Sequence, residues 1–232
     1  MTYYLKSGFD DVSLNSDSRN EKPKLIVFDM DSTLIDAECI DELARAAGVE
    51  DFVSDITRKA MNGELKYSEA LIERVKTLKG LDIELAQKAM DEISLMPGAE
   101  ELLEHIRTHG YTTAMLSGGF SLKSEHVGKR LKIDHVFSNI LEIKDGKLTG
   151  NVSGPMTGDN SKEVVFEKLA LEHGISTEDC VVVGDGANDI CIFKKAGYSI
   201  AFNPKPILCQ YADVVIKQKN MKAIIPVIDS LQ

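Results

Sequence analysis

From Lys24 onward, short and almost unbroken apolar runs alternate with longer stretches in which apolar residues recur at helical spacing. The runs are KLIVFD (24–29), TTAMLS (112–117), CVVVG (180–184), YSIAF (198–202) and DVVI (213–216). A run without polar alternation suits a strand covered on both faces, and helices between such strands are the rhythm of a parallel sheet. The expected fold class is therefore α/β, a Rossmann-like parallel sheet flanked by helices.

Two interruptions modify that pattern. Between the first and second runs the helical pattern extends from Ala37 to Thr108, more chain than one crossover helix requires. An inserted helical cap over residues 37–97 accounts for it, ending where Pro97 and Gly98 punctuate MPGAE. The core domain then comprises residues 23–36 and 98–232. The stretch NILEIKDGKLTGNVSG (139–154) reads as a small β-hairpin turning at Asp145-Gly146. Residues 1–22 are polar and aperiodic and are expected to form a loose leader, with Tyr3, Tyr4, Leu5 and Phe9 as its means of docking on the body.

Composition narrows the partners. The chain has 232 residues and a formal net charge of -10, with a pI near 5.0. Nucleic acids and anionic membranes are held by diffuse positive fields, so neither is an expected partner, and an anionic ligand must meet locally concentrated positive charge. The four cysteines form no CxxC pair and no secretory segment opens the chain, which points to free thiols and a cytoplasmic location. A homodimer is left open.

The candidate chemistry lies where apolar runs end. In VFDMDSTL, Asp29 and Asp31 stand two residues apart at a strand end, where side chains two apart share a face and like charges repel. GDGAND brings Asp185, Asn188 and Asp189 to a second strand end. In open parallel sheets ligands sit at the carboxyl ends of strands. Acids converging there call for a divalent cation, and hard oxygen donors suit Mg²⁺. LSGGF offers the Ser117 hydroxyl together with backbone N–H groups that Gly118 and Gly119 leave accessible. In GDNSKEVVFEKLA, Asn160 and Glu163 have capping-box spacing, and Lys162 falls in the first helical turn on a face shared with Val165, Phe166 and Leu169. A cation there opposes the helix dipole unless an anion is bound beside it; a lysine snorkelling past an apolar stripe is the ordinary alternative.

DMDST, LSGGF, a helix-opening Lys162 and GDGAND, in that order at four element ends, resemble the haloacid dehalogenase-like phosphohydrolases. The stretches ECIDELA and AMNGELKYSEALIERVKTLKGL are similar to the cap of members that act on O-phosphoserine. The resemblance covers the chain from about Lys24 to its end. It implies that Asp29 is a nucleophile that becomes an aspartyl phosphate, and that Asp31 protonates the leaving oxygen and then activates water. It also implies that Mg²⁺ is held by the Asp29 and Asp185 carboxylates and the Asp31 carbonyl. Ser117, the Gly118 amide and Lys162 would bind phosphoryl oxygens, with Asn188 and Asp189 ordering the metal's waters and Lys162.

The substrate class rests on the cap. In YSEALIERVKTL, Arg74 lies within the apolar stripe of Tyr67, Ala70, Leu71, Val75 and Leu78. A buried guanidinium demands an anion, either a substrate carboxylate or a cap acid in an internal salt bridge, and periodicity does not choose between them. Glu38 opens a helix as an ordinary dipole-favoured acid; the resemblance assigns it to the substrate ammonium, with Met61 and Tyr67 as apolar wall. The expected activity is hydrolysis of phosphoserine. The alternatives are another small phosphate monoester, phosphoryl transfer to an alcohol such as homoserine, or a phospho-accepting signalling domain, which needs neither this length nor a cap.

Overall fold

The computed structural model describes residues 2–3, 12–15, 25–61 and 64–231, with side chains from 25 to 60 and from 64 to 231. In chain order the elements are β1 (Thr2–Tyr3), β2 (Val12–Asn15), β3 (Leu25–Phe28), α1 (Cys39–Ala47), α2 (Glu50–Met61), α3 (Tyr67–Thr77), α4 (Ile83–Glu92) and α5 (Ala99–Thr108). There follow β4 (Thr112–Phe120), α6 (Ser121–Leu131), β5 (His135–Lys144), β6 (Lys147–Ser153), α7 (Ser161–Glu172), β7 (Cys180–Gly184), α8 (Ile190–Phe193), β8 (Tyr198–Phe202), β9 (Val214–Ile216) and α9 (Ile225–Asp229). The strands form one sheet in the order β1-β2-β9-β8-β7-β3-β4-β5-β6. From β9 to β5 every pairing is parallel, as the unbroken apolar runs predict.

β3 is central, with Val27 opposite Ala114 of β4 and Val182 of β7. Its residues alternate between two cores. Ile26 and Phe28 pack with α5, α6 and the cap helices, whereas Leu25 and Val27 pack with Phe166 and Leu169 of α7. The sheet is thus a middle layer, and its carboxyl ends are open only where the two helical layers part.

Two features of the sheet depart from the sequence pattern. β5 begins at His135 and pairs with β4 (Met115 with Val136) before it enters the hairpin, so the hairpin's first strand is also a strand of the parallel sheet. The hairpin turns at Asp145 and Gly146, both at positive φ, 52° and 74°. At the other edge, Val12 pairs with Ile216 and Leu14 with Val214, so β2 extends the sheet antiparallel to β9, and β1 pairs antiparallel with β2 in turn. The remaining residues expected as a leader lie outside the described ones.

The helices α1 to α4 enter and leave through two chain segments that run side by side. Asp36 donates to the Ser94 carbonyl (3.1 Å) and Met96 to the Leu34 carbonyl (2.8 Å), flanking a bridge between Ile35 and Leu95. The hairpin supports the far side, because Gly80 and Leu148 exchange backbone bonds with Leu148 and Leu81. No helix among the described residues is long and apolar enough to cross a membrane. All four cysteines are free.

One contact between cap and core has no counterpart in the sequence reading. Lys123 of α6 is buried, and its Nζ donates to the Met90 and Ile93 carbonyls at the end of α4, each at 2.7 Å. Burial pulls its pKa down. These carbonyls stand at the helix end, where the Met90 carbonyl also accepts the Ile93 amide at 3.3 Å and Ile93 is the C-cap residue. Replacing Lys123 with Met keeps the stem but takes a buried donor away from both carbonyls, so K123M is expected to cost about 1–3 kcal/mol of stability. A denaturant titration with an unchanged midpoint would show that the contact does not hold the cap.

Candidate active site

β3 and β7 end side by side, and the acids that follow them meet. The Asp29 amide still donates to the Val183 carbonyl (2.9 Å), so the ladder runs one residue past β3 and fixes Asp29 at the sheet's rim. The oxygens of Asp29, Asp185 and Asp189 lie within 4.8 Å of one another, and all three residues are buried. Three donors converge on Asp29: the Met30 amide on Oδ1 (2.7 Å), and Asn188 Nδ2 (2.9 Å) and Lys162 Nζ (2.9 Å) on Oδ2.

Lys162, in the first turn of α7, is buried, and its ammonium also donates to Asp189 Oδ1 at 2.6 Å. Burial lowers its pKa, but the Asp189 and Asp29 carboxylates outweigh that and raise it overall. This is the anion that the misplaced cation called for; in this structure it is supplied by the protein's own acids. Asp189 in turn accepts the Asp185 and Gly186 amides on Oδ2, at 3.2 and 3.1 Å. The expected capping box on α7 does not form. Asn160 is the N-cap residue but its side chain makes no capping bond, and Glu163 is drawn instead to Lys195 at 2.6 Å.

The carboxylates of the acid pair that opens the site part company. Asp31 Oδ1 accepts the Cys39 amide at the N-terminus of α1 (3.3 Å) and does not join the cluster of Asp29, Asp185 and Asp189. Burial, reinforced by the charges of Glu38 and Asp29, raises Asp31 to about 8, against the lowering effect of the Cys39 bond. Burial likewise raises Asp185 to about 7, with Asp29 adding to it and Lys205 opposing it. Such shifts are the cost of buried negative charge that positive charge only partly offsets. A donor set of three buried carboxylates fits a hard divalent cation, whose charge would offset that cost.

Ser117 and Gly118 lie late in β4, the strand beside β3. Ser117 is fully buried, and its Oγ accepts the Gly119 amide at 2.9 Å. Above them is the cap. Tyr67, the first residue of α3, donates its hydroxyl to the Met156 carbonyl (3.2 Å), and the Ser68 amide donates to Asp159 Oδ1 (2.9 Å). Glu38, the N-cap of α1, is not a freely solvated acid: its Oε1 accepts Ser32 Oγ (2.9 Å) and lies 3.3 Å from Lys205 Nζ. Lys205 also approaches Asp185 Oδ2 at 3.3 Å, so it links cap and core acids. The sequence reading missed it, because nothing in NPKP distinguishes its lysine from a solvated loop residue.

Arg74 of α3 is half-buried. Its Nε donates to the Ala70 carbonyl (3.2 Å), and it forms no salt bridge with a described residue. Its charge reaches Asp41, where it opposes the raising effects of burial and Glu38. The Met61 side chain lies outside the described residues.

Comparison with known proteins places the chain in a family. A model of the haloacid dehalogenase-like hydrolases matches residues 23–197. The chain is 47% identical over 205 residues to the phosphoserine phosphatase of Methanocaldococcus jannaschii, covering 88% of this chain and 97% of that one. It is 44% identical over 221 residues to the phosphoserine phosphatase of Archaeoglobus fulgidus, covering 95% of this chain and 64% of that longer protein. A solved structure described as a phospho-aspartyl intermediate analogue of phosphoserine phosphatase superposes with a TM-score of 0.84 at 47% identity, covering 89% of this chain and 99% of the other.

The closeness of cap to core is open to test at Gly118. A Cβ there would lie 2.5 Å from the Tyr67 hydroxyl oxygen but 3.5 Å from the ring carbon that bears it. G118A should therefore destabilise by about 1–3 kcal/mol through overpacking. Adding Tyr67→Phe, which removes that oxygen, should recover most of the loss. Denaturation of both single variants and the double variant checks this, and strictly additive losses would show that Tyr67 does not close over Gly118.

Proposed function

Because this chain belongs to the haloacid dehalogenase-like hydrolases, we propose that it is a Mg²⁺-dependent cytoplasmic phosphatase that hydrolyses O-phospho-L-serine to L-serine and phosphate. The core (23–36 and 98–232) carries the chemistry in this reading, and the cap (37–97) selects the substrate.

The observation that carries the substrate is Arg74, a half-buried guanidinium on the same helix as Tyr67 with no salt bridge to a described residue. A fork of donors left unpaired in a protein interior is costly, and a substrate carboxylate matches it with two oxygens. Glu38, which lies 3.3 Å from Lys205 Nζ, supplies the complementary negative charge for a substrate ammonium. Tyr67 forms the apolar wall, with Met61 expected beside it from the resemblance. Relatives 47% and 44% identical that bear the phosphoserine phosphatase name support the same assignment.

In the proposed reaction Asp29 attacks phosphorus and the bond to the serine oxygen breaks, leaving an aspartyl phosphate. Asp31 donates its proton to that oxygen. A carboxyl raised to about 8 holds a proton at neutral pH, as a general acid must. Water then attacks the phosphoenzyme, Asp31 takes its proton back, and phosphate departs with Asp29 restored. Ser117, the Gly118 amide and Lys162 hold the phosphoryl oxygens, and Asn188 and Asp189 keep Asp29 and Lys162 in register. A Mg²⁺ ion held by the Asp29 and Asp185 carboxylates and the Asp31 carbonyl would offset the repulsion between an anionic nucleophile and an anionic phosphate.

Phosphate release from phosphoserine and from p-nitrophenyl phosphate, each assayed with Mg²⁺ and after chelation, tests both halves of the proposal. Chelation should silence both substrates and Mg²⁺ should restore them. R74A should lose about 2–4 kcal/mol in kcat/KM on phosphoserine and little on the carboxylate-free ester. Equal losses on both would make Arg74 a structural residue of the cap, and undiminished turnover without metal would remove Mg²⁺ from the account.

A further inference from the structure

Away from the acid cluster, the molecule carries a second group with the chemistry of a metal site. His105 and His109 stand one turn apart at the C-terminal end of α5, and Asp229 is the last residue of α9, which packs against α5. Each offers a ring nitrogen or carboxylate oxygen, and these atoms lie within 4.8 Å of one another. His105 Nε2 is 2.6 Å from Asp229 Oδ1, and the two imidazole centroids are 4.3 Å apart.

At His109 the hydrogen bonding fits a ligating role, while at His105 an ion would take the place of the Nε2 hydrogen now shared with Asp229. His109 Nδ1 is 2.8 Å from the His105 carbonyl oxygen, which can only accept, so Nδ1 carries the hydrogen and Nε2 keeps its lone pair. A ring N–H donated to a backbone carbonyl is the usual support of a metal-bound histidine, because it fixes the tautomer and ring orientation. The Thr108 hydroxyl donates to the same carbonyl at 2.7 Å. His109 and Asp229 are exposed, so their side chains are free to close around an ion bonded at roughly 2.0–2.2 Å to each ligand.

We propose that His105, His109 and Asp229 bind a borderline divalent transition-metal ion, of which Zn²⁺ is the representative, and that this ion fastens α9 to α5. Two imidazoles and one carboxylate favour zinc, nickel or copper over magnesium, which prefers an all-oxygen shell. The site is separate from the catalytic acids. The end of α5 leads into the start of β4 at Thr112, whereas Ser117 lies toward the strand's other end, so the two groups lie toward opposite ends of the strands. The ion's effect is on the stability of the C-terminal segment, not on turnover.

The experiment is a Zn²⁺ titration of the full chain kept saturated with Mg²⁺, read by calorimetry and by the thermal midpoint. The expected result is saturable binding with a rise in Tm. H109A and D229N should each weaken that binding at least about tenfold and remove the rise, while Mg²⁺-dependent turnover stays unchanged. His173, whose ring lies 4.7 Å from that of His135, belongs to the other histidine pair, and H173A should leave zinc binding intact. Absence of saturable binding, binding indifferent to H109A and D229N, or loss of binding in H173A would each overturn the proposal.

Discussion

Negative charge buried at the carboxyl ends of β3 and β7 is the constraint on which the rest of the site depends. Asp29, Asp185 and Asp189 are drawn within 4.8 Å of one another, and unpaired carboxylates in such a place cost several kcal/mol each. Lys162 is the buried cation that answers them, and it contacts Asp29 and Asp189 together. Its position in the first turn of α7 opposes the helix dipole, but the two carboxylates more than compensate for that. The backbone contributes as well: the amides of Asp185 and Gly186 turn inward onto Asp189. Burial, with neighbouring negative charge adding to it, raises the pKa of Asp31 and of Asp185, which in the proposed reading gives the first a proton to donate and the second a reason to hold a cation.

The cap makes a chemical site selective. Beyond its backbone bonds to the hairpin, its polar ties to the core include Tyr67 to Met156, Ser68 to Asp159, Glu38 to Lys205 and Lys123 to the end of α4. Two of these ties, at Tyr67 and Glu38, fall on residues proposed to line the substrate. In the proposed reading, the contacts that join cap to core and those that recognise the substrate therefore share residues. The chemistry is left to the core, where the sheet fixes Asp29 and Ser117 on adjacent strands.

Much of this was legible in the sequence because the strands are buried on both faces and read as uninterrupted apolar runs. The hairpin was legible because Asp145-Gly146 is a turn that few other dipeptides make. The first half of β5 was not, since HVFSN mixes polar and apolar residues. Asn139 there spends its side chain bracing the Gly118 and Met156 backbones. β2 is four residues long, and nothing local distinguishes VSLN until β9 is beside it. Arg74 and Lys162 were found as cations inside apolar stripes. The same signal was present for Lys123, which shares a buried face of α6 with Val127 and Leu131. Lys205 and the pairing of Glu163 with Lys195 carry no local signal and depend on the chain's return through β8 and α8.

The central claim is that the phosphoryl group passes through Asp29, and the most direct measurement is to stop the enzyme with acid during turnover of radiolabelled phosphoserine and to locate the label by peptide mass spectrometry. The account predicts label on the peptide that contains Asp29, at that carboxylate, and neither label nor turnover in D29N. Label on another residue, or turnover that proceeds in D29N, would contradict it.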